Sequence, residues 1–161
     1  MITCTFEKSS DKVSLRHVTV NAIVINNNQI LFGKRGTYNG RPIIESGKWG
    51  LLGGFFDRDE NLVQAVKREV MEESGWEINN LKLFRINDNP NRPKEDHQNV
   101  DIIFIANAVK QTKTSDEEVT MLQWFDLDKL PEKEEIAFDH GDAVELYKKY
   151  LTKNFPLPVL G

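Results

Sequence analysis

The segment Gly54–Trp76 reads GFFDRDENLVQAVKREVMEESGW, and the chain organises itself around it. No Gly or Pro falls between Asn61 and Ser74. Leu62, Ala65, Val66 and Val70 recur at helical spacing, so this stretch predicts a helix, closed by Gly75 as its C-terminal cap. Residues three and four apart share a helix face. Glu69 therefore neighbours Glu72 and Glu73, and Arg68 neighbours Glu72. Glu73 lies on the side of Leu62 and Val66, so it points toward protein. Burying unpaired like charges costs several kcal/mol. A hard divalent cation removes that conflict, and carboxylate oxygens are the ligands magnesium and manganese prefer. The same letters also fit a solvated face laced with ion pairs, each worth only about 0.2–0.5 kcal/mol. The bracketing glycines and their spacing favour the metal cradle.

Working outward, the β-branched run His17–Asn26, the turn Asn26-Asn27-Asn28 and Gln29–Arg35 predict a β-hairpin. Gly36–Gly47 reads as a loop, and Lys48–Leu52 as a short strand running into Gly53-Gly54. Glu77–Asn87, Asn99–Val109 and Val119–Leu127 read as strands. Asp88–Gln98, with Pro90 and Pro93, and the acidic Gln111–Glu118 read as loops. Glu134–Leu151 predicts a second helix, with Ile136, Val144, Leu146, Tyr147 and Leu151 as its buried residues. Asp139-His140 marks a helix start with Asp139 as cap. Pro156 and Pro158 are expected to end regular structure. Mostly strands, with one helix in the middle and one at the end, predict an α+β fold with a mixed sheet covered by helices.

The 161 residues suit one domain, 1–161, with a core over about 17–152. The net charge of −4 gives no general attraction to nucleic acid, so a phosphate-handling site must draw on local Arg, Lys or metal. Cys4 is the only cysteine, which rules out an internal disulfide and fits a cytoplasmic location. No apolar run approaches the roughly 18 residues of a membrane span, and Met1–Lys12 lacks a secretion-signal core.

The segment matches the Nudix box, Gly-x5-Glu-x7-Arg-Glu-U-x-Glu-Glu-x-Gly-U, where U is bulky and apolar. Gly54, Glu60, Arg68, Glu69, Val70, Glu72, Glu73, Gly75 and Trp76 fill every defined position. Trp49-Gly50-Leu51-Leu52-Gly53-Gly54 resembles the family's usual lead-in, with Leu52 where proline is common. Trp124-Phe125-Asp126-Leu127 resembles the family's late strand, so the likeness spans roughly residues 17–150. It implies a Nudix-type α/β/α sandwich and a metal-dependent pyrophosphohydrolase that cleaves a nucleoside diphosphate linked to another moiety. It assigns magnesium, or manganese, to Glu69 and Glu73, with Glu72 as ligand or base and the Gly53 carbonyl in the metal shell. Arg68 and Glu60 are expected to pair and hold the box in shape, with Gly54 and Gly75 as its structural glycines.

Relatives often place a further glutamate on a later loop, and here Glu118 is preferred over Glu117. Arg35 and Arg92 are candidate phosphate or substrate contacts, Lys94 a further one. Trp49 reads as core or as a base platform, Trp124 as core. His97 and His140 are candidates for acid–base work. Ile136–His140 resembles a segment of Nudix proteins related to ADP-ribose pyrophosphatases and ADP-ribose-sensing regulators, and Asn89–Pro93 resembles a loop of that group. The expected substrate is thus an ADP-ribose-like compound or nucleotide sugar, followed by a nucleoside triphosphate, oxidised ones included. The expected partners are that small molecule and, as in many relatives, a second copy in a homodimer, with no nucleic acid and no membrane. The alternative is a nucleotide-sensing Nudix module without catalysis.

Overall fold

The computed structural model describes the backbone of residues 2–5 and residues 9, 11–92 and 98–161 in full. In chain order the strands are β1 (Ile2–Thr5), β2 (Lys12–Leu15), β3 (Val18–Asn26), β4 (Gln29–Arg35), β5 (Thr37–Tyr38), β6 (Arg41–Pro42), β7 (Trp49–Gly50) and β8 (Leu52–Phe55). Helix α1 (Leu62–Ser74) follows, then β9 (Trp76–Asn87), β10 (Val100–Gln111), β11 (Val119–Asp126), α2 (His140–Lys153) and β12 (Val159–Leu160).

The principal sheet is mixed, in the order β11-β4-β3-β10-β9-β12. β3 runs parallel to β10, while β10 pairs antiparallel with β9. β3 and β4 pair only through Val24–Asn26 and Gln29–Leu31. Beyond that point they diverge, and β7 and β8 fill the opening, β7 on β4 and β8 on β3. The wedge carries Gly53-Gly54 to the spot where α1 packs.

Side chains of a strand alternate between its two faces. Val20, Ala22, Val24, Leu31, Phe104 and Ala106 meet Ala65, Val66 and Val70 of α1 on one face. Ile23, Ile30, Phe32 and Ile103 meet Ala143, Val144 and Tyr147 of α2 on the other. The result is an α+β sandwich with a helix on each face of the mixed sheet, as the sequence predicted. α1 begins with Asn61, whose side chain accepts from the N–H groups of Val63 and Gln64 while Gln64 reaches back, a capping box. It ends at Gly75 in the left-handed region (φ 70°). Among the described residues no helix is long and apolar enough to cross a membrane.

Four expectations change. The second helix starts at His140, as the pair Asp139-His140 marked, rather than at Glu134. Lys133–Glu135 forms a 3-10 turn, and Ile136 and Ala137 run extended beside Trp49, with the Ala137 N–H donating to the Trp49 carbonyl. Leu151, expected to be buried, is 53% exposed because the helix turns it away from the sheet. Residues 36–47 contain the small β5–β6 hairpin, and β12 re-forms regular structure after Pro158 by pairing with β9. Lys94 and His97 lie outside the described residues, as does the side chain of Cys4.

Phe84 is fully buried, edge-on to Tyr147 and Tyr150 at 6.1 Å each. Phe84→Ala should cost about 3–5 kcal/mol of stability, since it leaves a cavity between sheet and α2. Denaturant unfolding of the two proteins measures it, and a loss under about 1 kcal/mol would show that α2 collapses onto the gap.

Candidate active site

The last two turns of α1 lie under the Gly53-Gly54 wedge. Glu73 is only 7% exposed, and its Oε2 accepts the Gly53 N–H at 2.7 Å. Burial drives its carboxyl well above the ordinary range, and Glu69 and Glu118 add like-charge repulsion that the Gly53 N–H and Arg35 only partly oppose. Glu69 is pushed up to about 7, chiefly by burial, with Arg68 opposing. Gly54 packs on it: a Cβ there would lie 2.6 Å from Glu69 Oε2. At Gly53 a Cβ would overlap the Val20 carbonyl oxygen. The two glycines let the strand descend onto two carboxylates, which no other residue type permits.

Arg68 binds the cluster together. Its Nε and one terminal nitrogen donate to both Glu60 oxygens at 3.1 and 2.7 Å. The other terminal nitrogen donates to Glu69 at 2.8 Å and Glu72 at 3.1 Å, and the Phe55 carbonyl accepts a further bond. Arg68 is held more firmly protonated by Glu60 above all, and Glu60 lies below its usual range because of Arg68. This is the pairing expected of the two residues.

The acidic loop divides its two glutamates. Glu117 accepts from the N–H groups of Asn39 and Gly40 and from the Thr37 hydroxyl, tying the loop to the β5–β6 hairpin. Glu118 lines the cavity, and burial and Asp116 raise its carboxyl. The structure thus separates a tether from a site-facing group.

Arg68, Glu69, Glu72, Glu73 and Glu118 share one cavity of about 810 Å³, which also takes in Arg35, Tyr38, Arg41, Arg92 and Phe138. Arg35 is lowered by burial, offset by Glu73 and Glu118, and its guanidinium sits 5.0 Å from the centre of the Phe138 ring. Arg92, the candidate substrate contact on the loop after β9, is 6% exposed. It forks onto Asp139 at 2.7–3.2 Å and reaches Asp101 at 3.6 Å. Asp139, expected to cap α2, spends its carboxylate on Arg92 and Asn87. Trp49 packs edge-on against Phe125 at 5.0 Å and Trp124 against Trp76 at 5.4 Å, so both belong to the packing of the sheet. Sequence reading missed Asp101, which is fully buried and accepts from Thr19 and Asn21. An acid inside the apolar run Val100–Ile105 was the available signal.

The donor set fits a hard cation. It consists of carboxylate oxygens, and the most buried of them, on Glu73, meets only the Gly53 N–H and the charge of Arg35. Among the described residues no three acidic, His or Cys side chains converge into a closed cage; Arg68 instead holds Glu69 and Glu72.

A family model described as the NUDIX domain matches residues 15–147. The chain belongs to that family. This Nudix hydrolase is 29% identical over 133 residues to an ADP-ribose pyrophosphatase of Methanocaldococcus jannaschii, covering 83% of the chain and 73% of that protein. An oxidized purine nucleoside triphosphate hydrolase of Danio rerio is 34% identical over 92 residues, 53% of the chain and about half of that protein at 54%. The crystal structure of a NUDIX hydrolase from Nitrosomonas europaea, 24% identical, superposes with a TM-score of 0.78 over 98% of the chain and 84% of its own. Fold and family therefore agree, and Nudix hydrolases generally use divalent metal ions.

A pH dependence follows from Glu69. Its carboxyl titrates near 7 in the folded protein and near 4.3 in an unfolded chain, so the folded state holds the proton more tightly. The resulting stabilisation is complete below about pH 4.3 and is lost as pH rises through about 7. Chelator-treated protein should therefore lose Tm between about pH 5 and 7, and Glu69→Gln should flatten that fall. Thermal melts across the range test this, and an unchanged slope in the variant would contradict it.

Proposed function

We propose that this Nudix hydrolase is a magnesium-dependent pyrophosphohydrolase, with manganese as substitute, acting on an ADP-ribose-like compound. The observation that carries the reading is the pair of buried, proton-hungry carboxylates, Glu69 and Glu73, facing a cavity that also holds arginines and an aromatic ring. Glu69, Glu73 and Glu72 would hold the ion with the Gly53 carbonyl. The ion supplies positive charge for the phosphate oxygens and makes water more acidic.

The chain's own residues do the rest. Glu118, raised by burial and by Asp116, takes the proton of the water that attacks one phosphorus, while the second phosphate leaves with its bridging oxygen. Arg35, desolvated at the cavity wall, binds the anionic phosphate chain. Arg68 keeps Glu69 and Glu72 in place and Glu60 orients Arg68. Gly54 gives the carboxylate of Glu69 its space. Arg92 braces the cavity wall through Asp139, so its contribution to substrate is through position rather than free charge.

ADP-ribose-like substrates are placed first because of the similarity to the Methanocaldococcus enzyme, which spans most of both chains. A nucleoside triphosphate, oxidised or not, is the second reading, favoured by the shorter similarity to the Danio enzyme. Phosphate-product release from ADP-ribose, nucleotide sugars and nucleoside triphosphates, with and without magnesium, separates them. Magnesium-dependent turnover of ADP-ribose to AMP and ribose 5-phosphate is expected. Folded protein that turns over none of the panel would instead be a nucleotide sensor.

Glu73→Gln keeps an oxygen for the Gly53 N–H but removes the charge. It should fold and lose about 1,000-fold in kcat, roughly 4 kcal/mol of transition-state stabilisation. Activity near the wild-type level would overturn the assignment of Glu73 as a metal ligand.

A further inference from the structure

His140 is the first residue of α2 and lines the cavity, yet it plays no part in the hydrolytic chemistry above. It is 4% exposed. Its Nδ1 accepts the Leu51 N–H at 3.0 Å, on the strand wedge that leads to Gly53. That bond fixes the tautomer: with Nδ1 accepting, the ring proton of neutral imidazole sits on Nε2. The ring is neutral at physiological pH, because burial, Arg35 and Arg92 push it down to about 3 against the pull of Asp139. His140 is therefore no proton shuttle. It is a fixed, uncharged N–H donor, and Nε2 has no hydrogen-bond partner among the described residues while not being sealed away from the cavity. A donor that the protein leaves unpaired at a cavity wall is free to meet an acceptor on a ligand.

Its neighbour gives that acceptor a shape. The Phe138 ring lies 5.5 Å from the imidazole and also lines the cavity. Phe138 has φ 52°, a rarely populated conformation for a bulky residue. The surroundings hold it there: the Ala137 N–H is bound by Trp49, Asp139 by Arg92 and Asn87, and His140 by Leu51. Strain maintained by bonds on both sides of a cavity-lining residue points to function. On the opposing strand, Thr19 and Asn21 spend their donors on Asp101 Oδ1 at 3.1 and 2.7 Å. This orients Asn21 so that its carbonyl oxygen remains as an acceptor beside Gly53.

We propose that His140 Nε2–H binds a neutral acceptor on the non-reacting part of a nucleotide, with the Phe138 ring packing against that same group. The acceptor is either a sugar hydroxyl or a nucleobase ring atom. His140 is thereby a specificity residue, with its ring held by the Leu51 N–H. The proposal rests on the nucleotide reading of the cavity.

The test is calorimetric binding of AMP, which has no anhydride to cleave, so hydrolysis plays no part in the readout. His140→Asn retains an acceptor at the δ position for the Leu51 N–H and carries no donor at the ε position. It should melt near the wild type and bind AMP about tenfold more weakly, the worth of one hydrogen bond. His140→Gln, which returns an N–H at the ε position, should recover part of the loss. In the wild type, 2′- or 3′-deoxy-AMP should show that same loss if the acceptor is a sugar hydroxyl, and 1-deaza-, 3-deaza- or 7-deaza-AMP if it is a ring nitrogen. His140→Asn should be indifferent to the same change. AMP binding by His140→Asn equal to wild type, or wild-type binding that ignores every analogue, overturns the proposal. Wild-type protein that binds neither AMP nor ADP-ribose overturns the nucleotide reading and this one with it.

Discussion

The hydrogen bond from the Gly53 N–H to Glu73 joins the end of α1 to the strand wedge, and most of the site depends on it. Helix and sheet would pack around apolar residues alone, as Val66 and Val70 do against Val20 and Leu52. Placing carboxylates at that junction requires a backbone donor aimed at one of them and no side chains above the other. Gly53 and Gly54 meet both needs. The wedge exists because β3 and β4 separate after three residue pairs, so sheet topology and site electrostatics have one origin.

Charge is then distributed in a graded way. Arg68 neutralises the outer carboxylates, Glu60, Glu69 and Glu72, but not Glu73, which is left with the Gly53 dipole and the more distant Arg35. The inner end of the cluster is thus short of positive charge, while its outer edge is balanced. That gradient leaves the inner end, at Glu73, as the place where added positive charge is least opposed. A second ionic system, Arg92 with Asp139 and Asp101, stiffens the opposite wall around Phe138 and His140. Its members are spread over the loop after β9, β10 and the start of α2, so it ties that loop to two elements of the core.

Much of this was legible in the residues of Gly54–Trp76. Helical spacing set α1, Asn61 and Gly75 its ends, and the position of Glu73 relative to Val66 announced its burial. The neighbouring strands followed from β-branched runs. What misled the reading was also local. Glu134–Ala137 has helix-forming residues, yet Ile136 and Ala137 pair with Trp49, and a tertiary bridge outweighed propensity. Arg92 read as a candidate substrate contact because nothing near it in sequence reveals Asp139, 47 residues away.

By itself the sequence determined the helix that bears the carboxylates, the glycines that flank it, the alternation that makes the sheet two-faced and, through the full box, the family. These depend on contacts within a few residues or on period, which a linear string displays. Only the tertiary structure decided which glutamate of the acidic loop faces the cavity, that Arg92 is buried, and that His140 presents a fixed neutral donor. Each of those turns on a partner far along the chain — Asn39 for Glu117, Asp139 for Arg92, Leu51 for His140 — and the chemistry of a polar group is set by what it touches once water is gone.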